Sequence, residues 1–147
     1  MRLFQHRCVH CVGLLLLSFG LAACPERKAI WVTSSEEGTP VFMLGTREGK
    51  PMDVWVDILW VDQCSAVDRA TGEPREGRTM WAIVPQGDSA GTLRRVEYGV
   101  TPSGYSEVSQ KRPLSAGCYV VTASADAVAE FTIDYQGEVS PLTREQL

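Results

Sequence analysis

The sequence predicts an all-β protein: a small two-sheet antiparallel sandwich, preceded by an N-terminal signal helix that is cleaved away. Three observations lead there. From residue 29 onward, short runs rich in Val, Ile, Trp, Tyr and Phe alternate with clusters of Gly, Pro, Ser and Asp. Apolar periodicity of the helical kind is scarce over the same stretch. The 147 residues are 44% hydrophobic and 22% charged, the size and balance of one globular domain. That balance excludes a disordered chain, a collagen and a multi-spanning membrane protein. A formal net charge of −4 supplies no positive field for nucleic acid, so nucleic acid is excluded as a partner.

The N-terminal segment comes first. Residues 1–10 hold Arg2 and Arg7 and no acid, and residues 12–21 form one apolar run. A basic start followed by an apolar stretch of about 7–15 residues is the build of a signal peptide. The run is too short to span a bilayer, which takes about 20 apolar residues.

The run ends in Leu21-Ala22-Ala23-Cys24. This resembles the lipobox of bacterial lipoproteins, where small residues precede a cysteine. The resemblance covers only the first 24 residues. It implies cleavage between Ala23 and Cys24, a diacylglyceryl thioether on Cys24, and acylation (palmitate or a similar chain) of the new amino terminus. Two or more chains anchor stably where one is marginal. The covalent lipid is the one non-protein group expected, with no cofactor and no metal. The resemblance places the protein on a membrane, facing the periplasm. Pro25 is not the aspartate that commonly marks inner-membrane retention, so the outer membrane is favoured over the inner. The chain therefore divides into a signal peptide (1–23), a lipidated cysteine with a short tether (24–28), a β-sandwich (29–140) and a tail (141–147). Five residues of tether reach less than about 18 Å, so the domain sits close to the bilayer. Arg27 and Lys28 stand where anionic headgroups would be met.

Strands are expected at 29–34, 41–46, 53–62, 79–84, 93–98, 117–124 and 129–135. Within 53–62, Val54, Val56, Ile58 and Trp60 share one face by the period of two and are expected to point inward. Asp53, Trp55, Asp57, Leu59 and Val61 share the other, mixed face. Residues 117–124 are apolar on both faces, as a central strand would be. Two stretches rich in turn residues, 65–78 and 99–113, are expected to be long loops, a length uncommon without function or mobility.

Leu114-Ser115-Ala116-Gly117-Cys118-Tyr119 is similar to a corner element of immunoglobulin-like and prealbumin-like bacterial sandwiches. There the glycine takes a positive-φ turn, and the tyrosine packs its ring inside while its hydroxyl bonds nearby backbone. The match covers about six residues. It departs from a true immunoglobulin domain because Tyr119 follows the second cysteine instead of preceding it by two. A small β-barrel is the alternative. Residues 96–104 resemble an element of small exported bacterial proteins of uncharacterised role, which implies no activity.

Signal cleavage would remove His6, His10, Cys8 and Cys11, and with them the zinc-like or redox-like Cys-x-x-Cys spacing. With Cys24 lipidated, Cys64 and Cys118 remain in an oxidising compartment, and a disulfide between them is expected. Two buried thiols, or one thiol kept for a partner, are the other arrangements.

Without a histidine, Ser-His-Asp and Cys-His nucleophiles cannot be assembled. No phosphate-cradling glycine motif is present. Lys28, Lys50 and Lys111 lie in no apolar run that would depress an amine for a Ser-Lys dyad. Asp53 and Asp57 share a strand face about 13 Å apart, too far for one metal ion or for a glycosidase pair. Asp62, Asp68 and Glu73 match no EF-hand loop, and Glu36 and Glu37 read as solvated turn residues. No enzyme is expected.

Trp60 is assigned to the core. Trp55, between two aspartates, and Tyr105, in a Pro-Ser-Gly-Tyr turn, are the candidates for a binding surface. Tyr105 capping one end of the core is the competing role. The expectation is a non-catalytic accessory or binding module with an envelope protein partner. The alternative is a ligand-binding or hydrolase-inhibitor lipoprotein, although the sequence pattern of the lysozyme-inhibitor lipoproteins is absent.

Overall fold

The computed structural model describes residues 28–64, 78–87, 91–124 and 127–142. The strands, in order, are β1 (Lys28–Ser34), β2 (Pro40–Thr46), β3 (Val54–Trp55), β4 (Leu59–Gln63), β5 (Thr79–Pro85), β6 (Thr92–Leu93), β7 (Arg95–Glu97), β8 (Tyr105–Ser109), β9 (Gly117–Ala123), β10 (Ala127–Ile133) and β11 (Val139–Pro141). They form a three-stranded sheet, β1-β2-β7, a six-stranded sheet, β11-β10-β9-β4-β5-β8, and a small β3-β6 ribbon. Every strand pair is antiparallel, and the sheets stay open instead of closing into a barrel. The fold is a small β-sandwich.

β1 and β2 make a hairpin in full register, Lys28 opposite Thr46 and Ser34 opposite Pro40. Its loop is self-satisfied: Ser35 donates its N–H to the Thr39 carbonyl and its side-chain oxygen accepts from the Thr39 N–H. Gly38, at φ 79°, makes the left-handed step. β2 lies between two neighbours and is buried almost throughout. At Gly45 a Cβ would collide with the Lys50 carbonyl and the edge of the Trp31 ring, so only glycine fits there.

The two larger sheets meet through aromatic side chains. Phe42 of β2 packs on Phe131 of β10 with ring centroids 5.9 Å apart. Phe131 stacks in turn on Tyr119, its cross-strand partner in β9, at 5.5 Å. Trp81 of β5 meets Tyr98 edge-on at 5.5 Å. Each such pair adds about 0.5–1.5 kcal/mol beyond its buried area. All five rings are essentially without solvent contact.

The stretch expected as one strand at 53–62 is two. Val54 and Val56 are buried, but so are Leu59 and Val61, so the inward phase slips by one residue between Val56 and Leu59. The chain changes sheets there, leaving the β3-β6 ribbon and entering the large sheet. Ser124 secures the crossing: its N–H donates to the Ile58 carbonyl at 2.8 Å, and its side-chain oxygen accepts from the Asp57 N–H at 3.2 Å. As a result Trp60 is half-buried on the outer face, and Trp81 holds the core position instead. The expected 93–98 strand divides for the same reason, with β6 pairing to β3 and β7 to β2. β9 is central, between β10 and β4, as its two apolar faces indicate.

Two strands were not foreseen. β8 lies inside the stretch read as a loop at 99–113 and forms one edge of the large sheet. β11 forms the other edge. In the corner element, Tyr119 behaves as expected: it is buried, donates its hydroxyl to the Ser115 carbonyl at 2.7 Å, and accepts from the Ser115 N–H at 3.1 Å. Gly117 does not. It has no positive φ, and a Cβ there would meet nothing closer than 3.9 Å.

Cys64 and Cys118 form the disulfide, with Cα atoms 5.1 Å apart. Gln63 pairs with Tyr119, so the next position outward sets the cysteines face to face. The bond therefore staples neighbouring strands of one sheet, where an immunoglobulin disulfide joins the two sheets.

Candidate functional site: a cleft at one end of the sandwich

The strand directions give the sandwich two distinct ends. β1 starts at Lys28 and its six steps of about 3.3 Å carry the chain about 20 Å to Ser34. At the Ser34 end, an open cleft of about 380 Å³ lies between the margins of the two sheets. One wall is the β1–β2 loop at Glu37–Pro40, with the Gln136–Gly137 turn beside it. The other is the extended strap at Lys111–Leu114, which leads from β8 to β9. Tyr98 and Ile133 form the floor.

The strap has no regular structure of its own, yet it is fixed. The Arg112 N–H donates to the Met80 carbonyl at 2.9 Å. The Tyr98 hydroxyl donates to the Arg112 carbonyl at 2.8 Å and also approaches the Met80 carbonyl at 3.0 Å. Tyr119 holds the next turn through Ser115. Burial pushes the Tyr98 phenol up to about 12. This hydroxyl is thus a permanent donor at neutral pH.

Lys111 is fixed as well. Its aliphatic stem occupies the space a Cβ on residue 99 would need, and Gly99 itself stands at φ 73°. The ammonium lies 6.0 Å from the centre of the Tyr98 ring, at the outer limit of a cation–π contact. The ion pairs among the described residues are Arg94–Asp53 and Arg95–Glu97. Lys111 and Arg112 take part in neither.

A second surface surrounds Trp55, which is 47% exposed. It faces outward from the β3-β6 ribbon, opposite Thr92. Beside it Arg94 holds Asp53 through two bonds, Nε to Oδ1 at 3.2 Å and Nη2 to Oδ2 at 2.8 Å. Both partners are half-exposed, where such a pair adds about 0–1 kcal/mol, so its main effect is to hold the two side chains still. Asp57 accepts from the Ile58 N–H at 2.9 Å. The Ser124 hydroxyl keeps its carboxyl below the usual carboxylate range.

The sequence-derived site residues fall out as follows. Trp55 is on the surface. Tyr105 is not: its ring is 4% exposed, and its hydroxyl donates to the Val56 and Gly91 carbonyls, each at 3.0 Å. It ties the edge strand β8 to the residues flanking β3 and β6, the placement of a residue that caps one end of the core. Ala23 and Cys24 lie outside the described residues, as do Asp68, Glu73 and most of the 65–78 loop. Asp53 is engaged by Arg94 and not by Asp57. Among the described residues, no group of three or more His, Cys, Asp or Glu side chains converges on a point.

Lys111, Arg112, Gly99 and Tyr98 were not singled out as a site by the sequence. The signal for them was the Lys-Arg-Pro run following a stretch that the structure pairs as a strand. Comparison with known proteins finds no matching family model, no similar curated protein and no similar solved structure.

Proposed function

We propose that the chain is a lipid-anchored envelope lipoprotein facing the periplasm, and that its sandwich is a non-catalytic accessory or binding module for an envelope protein. The observation that carries this reading is the polarity of the domain. The Leu-Ala-Ala-Cys run ends at Cys24, only a few residues before β1 begins at Lys28. The cleft opens at the other end of β1, about 20 Å away. A lipid on Cys24 would hold the Lys28 end against the bilayer and turn the cleft toward the aqueous space. The outer membrane is favoured because Pro25, not aspartate, follows the cysteine.

The experiment is fractionation of cells expressing the chain and its Cys24→Ser variant. The parent should sediment with membranes and the variant should appear in the soluble periplasmic fraction. A variant that still sediments overturns the anchor.

One observation favours the alternative of a ligand-binding or hydrolase-inhibitor lipoprotein. Trp55 sits between the held Asp53–Arg94 pair and Asp57, a flat apolar face edged by polar groups, which suits stacking on a sugar ring. Tryptophan fluorescence titrated with muropeptides tests it: a saturable change lost in Trp55→Ala supports the glycan reading, and no change in the parent removes it.

A further inference from the structure

We propose that the cleft binds an extended acidic segment of a partner protein, with carboxylates of the segment on Lys111 and Arg112 and an apolar side chain on the floor between them and the β1–β2 loop. The inference rests on the accessory-module reading and adds the chemistry of the partner.

Shape comes first. The cleft is about 380 Å³, within the range of ligand sites, but it is an open trough between sheet margins and not an enclosed cavity. A small molecule there would stay largely solvated. An extended chain running along the trough would fill it and keep its flanks in water.

The lining supplies both parts of a recognition code. Pro113 and Leu114 present apolar surface, backed by the buried Ile133 and Tyr98. Lys111 and Arg112 put two positive charges along one wall of a protein whose net charge is −4.

The backbone carrying these exposed cations is held, and so is the stem of Lys111. The strap carrying them is tied by two buried tyrosines, Tyr98 at the Arg112 carbonyl and Tyr119 at Ser115. The Lys111 stem lies across Gly99, where any side chain would displace it. A freely moving lysine loses rotamer entropy when it binds, on the order of 1–2 kcal/mol. Here part of that ordering is built into the fold. No carboxylate among the described residues forms an ion pair with either cation. Among the described residues their charges are left for an acidic group to complement.

Two further features narrow the occupant. Glu37 stands on the opposite wall, so acidic groups are favoured only along the strap side. The cleft lies at the end of β1 away from Lys28, which turns it from the anchoring bilayer and argues for a polypeptide over a lipid headgroup.

The test uses the full-length chain in detergent micelles and a fluorescently labelled, end-blocked peptide with one leucine between two glutamates. A twin peptide with lysines in place of the glutamates is the control. Anisotropy should show saturable binding of the acidic peptide only, weakening as salt rises. The double variant Lys111→Glu, Arg112→Glu should raise the Kd by about tenfold or more, with an unchanged thermal melt showing that it is folded. Glu37→Gln should tighten binding, which no general loss of structure can mimic.

Absence of saturable binding, equal binding of both peptides, or indifference to the charge reversal overturns the proposal. Binding to phosphatidylglycerol vesicles that is lost on charge reversal, without peptide binding, also overturns it and assigns the cations to lipid. The two readings fail separately. Peptide binding by a chain that does not sediment with membranes removes the anchor and keeps the cleft, and membrane association without peptide binding does the reverse.

Discussion

Replacing both Cys64 and Cys118 by alanine removes a constraint whose size follows from the structure. The disulfide closes a loop with a sequence separation of 54. The chain-entropy relation gives a loss of about 14 cal/mol/K for a loop of that length, or about 4 kcal/mol at room temperature. Little of this should be offset in the folded state. The two cysteines continue an existing register, one step beyond the Gln63–Tyr119 pair, so the strands hold their spacing without the bond. Both side chains are only half-buried, so truncation leaves no large cavity. For a domain of this size, about 4 kcal/mol corresponds to a fall in Tm of roughly 15 °C. The assay is urea unfolding of the full-length chain and the double variant in the same detergent, with thermal melts alongside. The midpoint should fall, and the urea dependence should steepen because the uncrosslinked chain exposes more surface when unfolded. A loss under about 1 kcal/mol would refute the reasoning. It would mean that the denatured ensemble already keeps β4 near β9, or that the native bond is strained by as much as it gains.

Three other outcomes are expected. Gly45→Ala should destabilise the fold by about 1–3 kcal/mol, because the new methyl group meets the Lys50 carbonyl and Trp31; tryptophan emission should shift as Trp31 is displaced, and an unchanged urea midpoint would show that the hairpin yields freely. Tyr105→Phe should cost about 1–3 kcal/mol in urea unfolding, since the Val56 and Gly91 carbonyls lose their shared donor; loss of acidic-peptide binding with no loss of stability would instead make this residue part of a ligand site. Burial raises Tyr98 to about 12, from about 10 for a free phenol, so the folded state holds that proton more tightly than the unfolded chain. Its contribution is complete below about pH 10, declines as pH rises toward 12, and is lost above the folded pKa; the parent should therefore lose on the order of 2 kcal/mol more than Tyr98→Phe over that interval, and parallel pH profiles would exclude it.

The all-β class was legible because a sheet leaves a local record. Strands β1, β2, β5, β9 and β10 each show their faces in consecutive residues, and β9, apolar on both, announced that it was central. The cysteine pairing was legible by elimination within a presumed oxidising compartment. Other features are settled by partners distant in the chain. Nothing local in 53–62 marks the slip that moves Leu59 and Val61 inward and Trp60 outward, because the slip exists to change sheets and is secured by Ser124, 67 positions from Asp57. β8 hid inside a turn-rich stretch because an edge strand needs only one paired side, so Val108 remains 60% exposed and its apolar pattern is weak.

The sequence alone determined that this is a β-rich domain of one core, that Cys64 and Cys118 suffice for one internal cross-link, and that both histidines lie within the first ten residues. Periodicity, composition and residue inventory are properties of the chain itself. Only the tertiary structure decided that Tyr105 closes the core while Trp55 faces water, although both are aromatics in polar company. It alone brought Gly99, Lys111 and Tyr98 together with the β1–β2 loop to build a cleft. The reason is physical. Burial and charge placement depend on which strands pair across long stretches of chain, and in an antiparallel sandwich those pairings are set by the packing of the whole core.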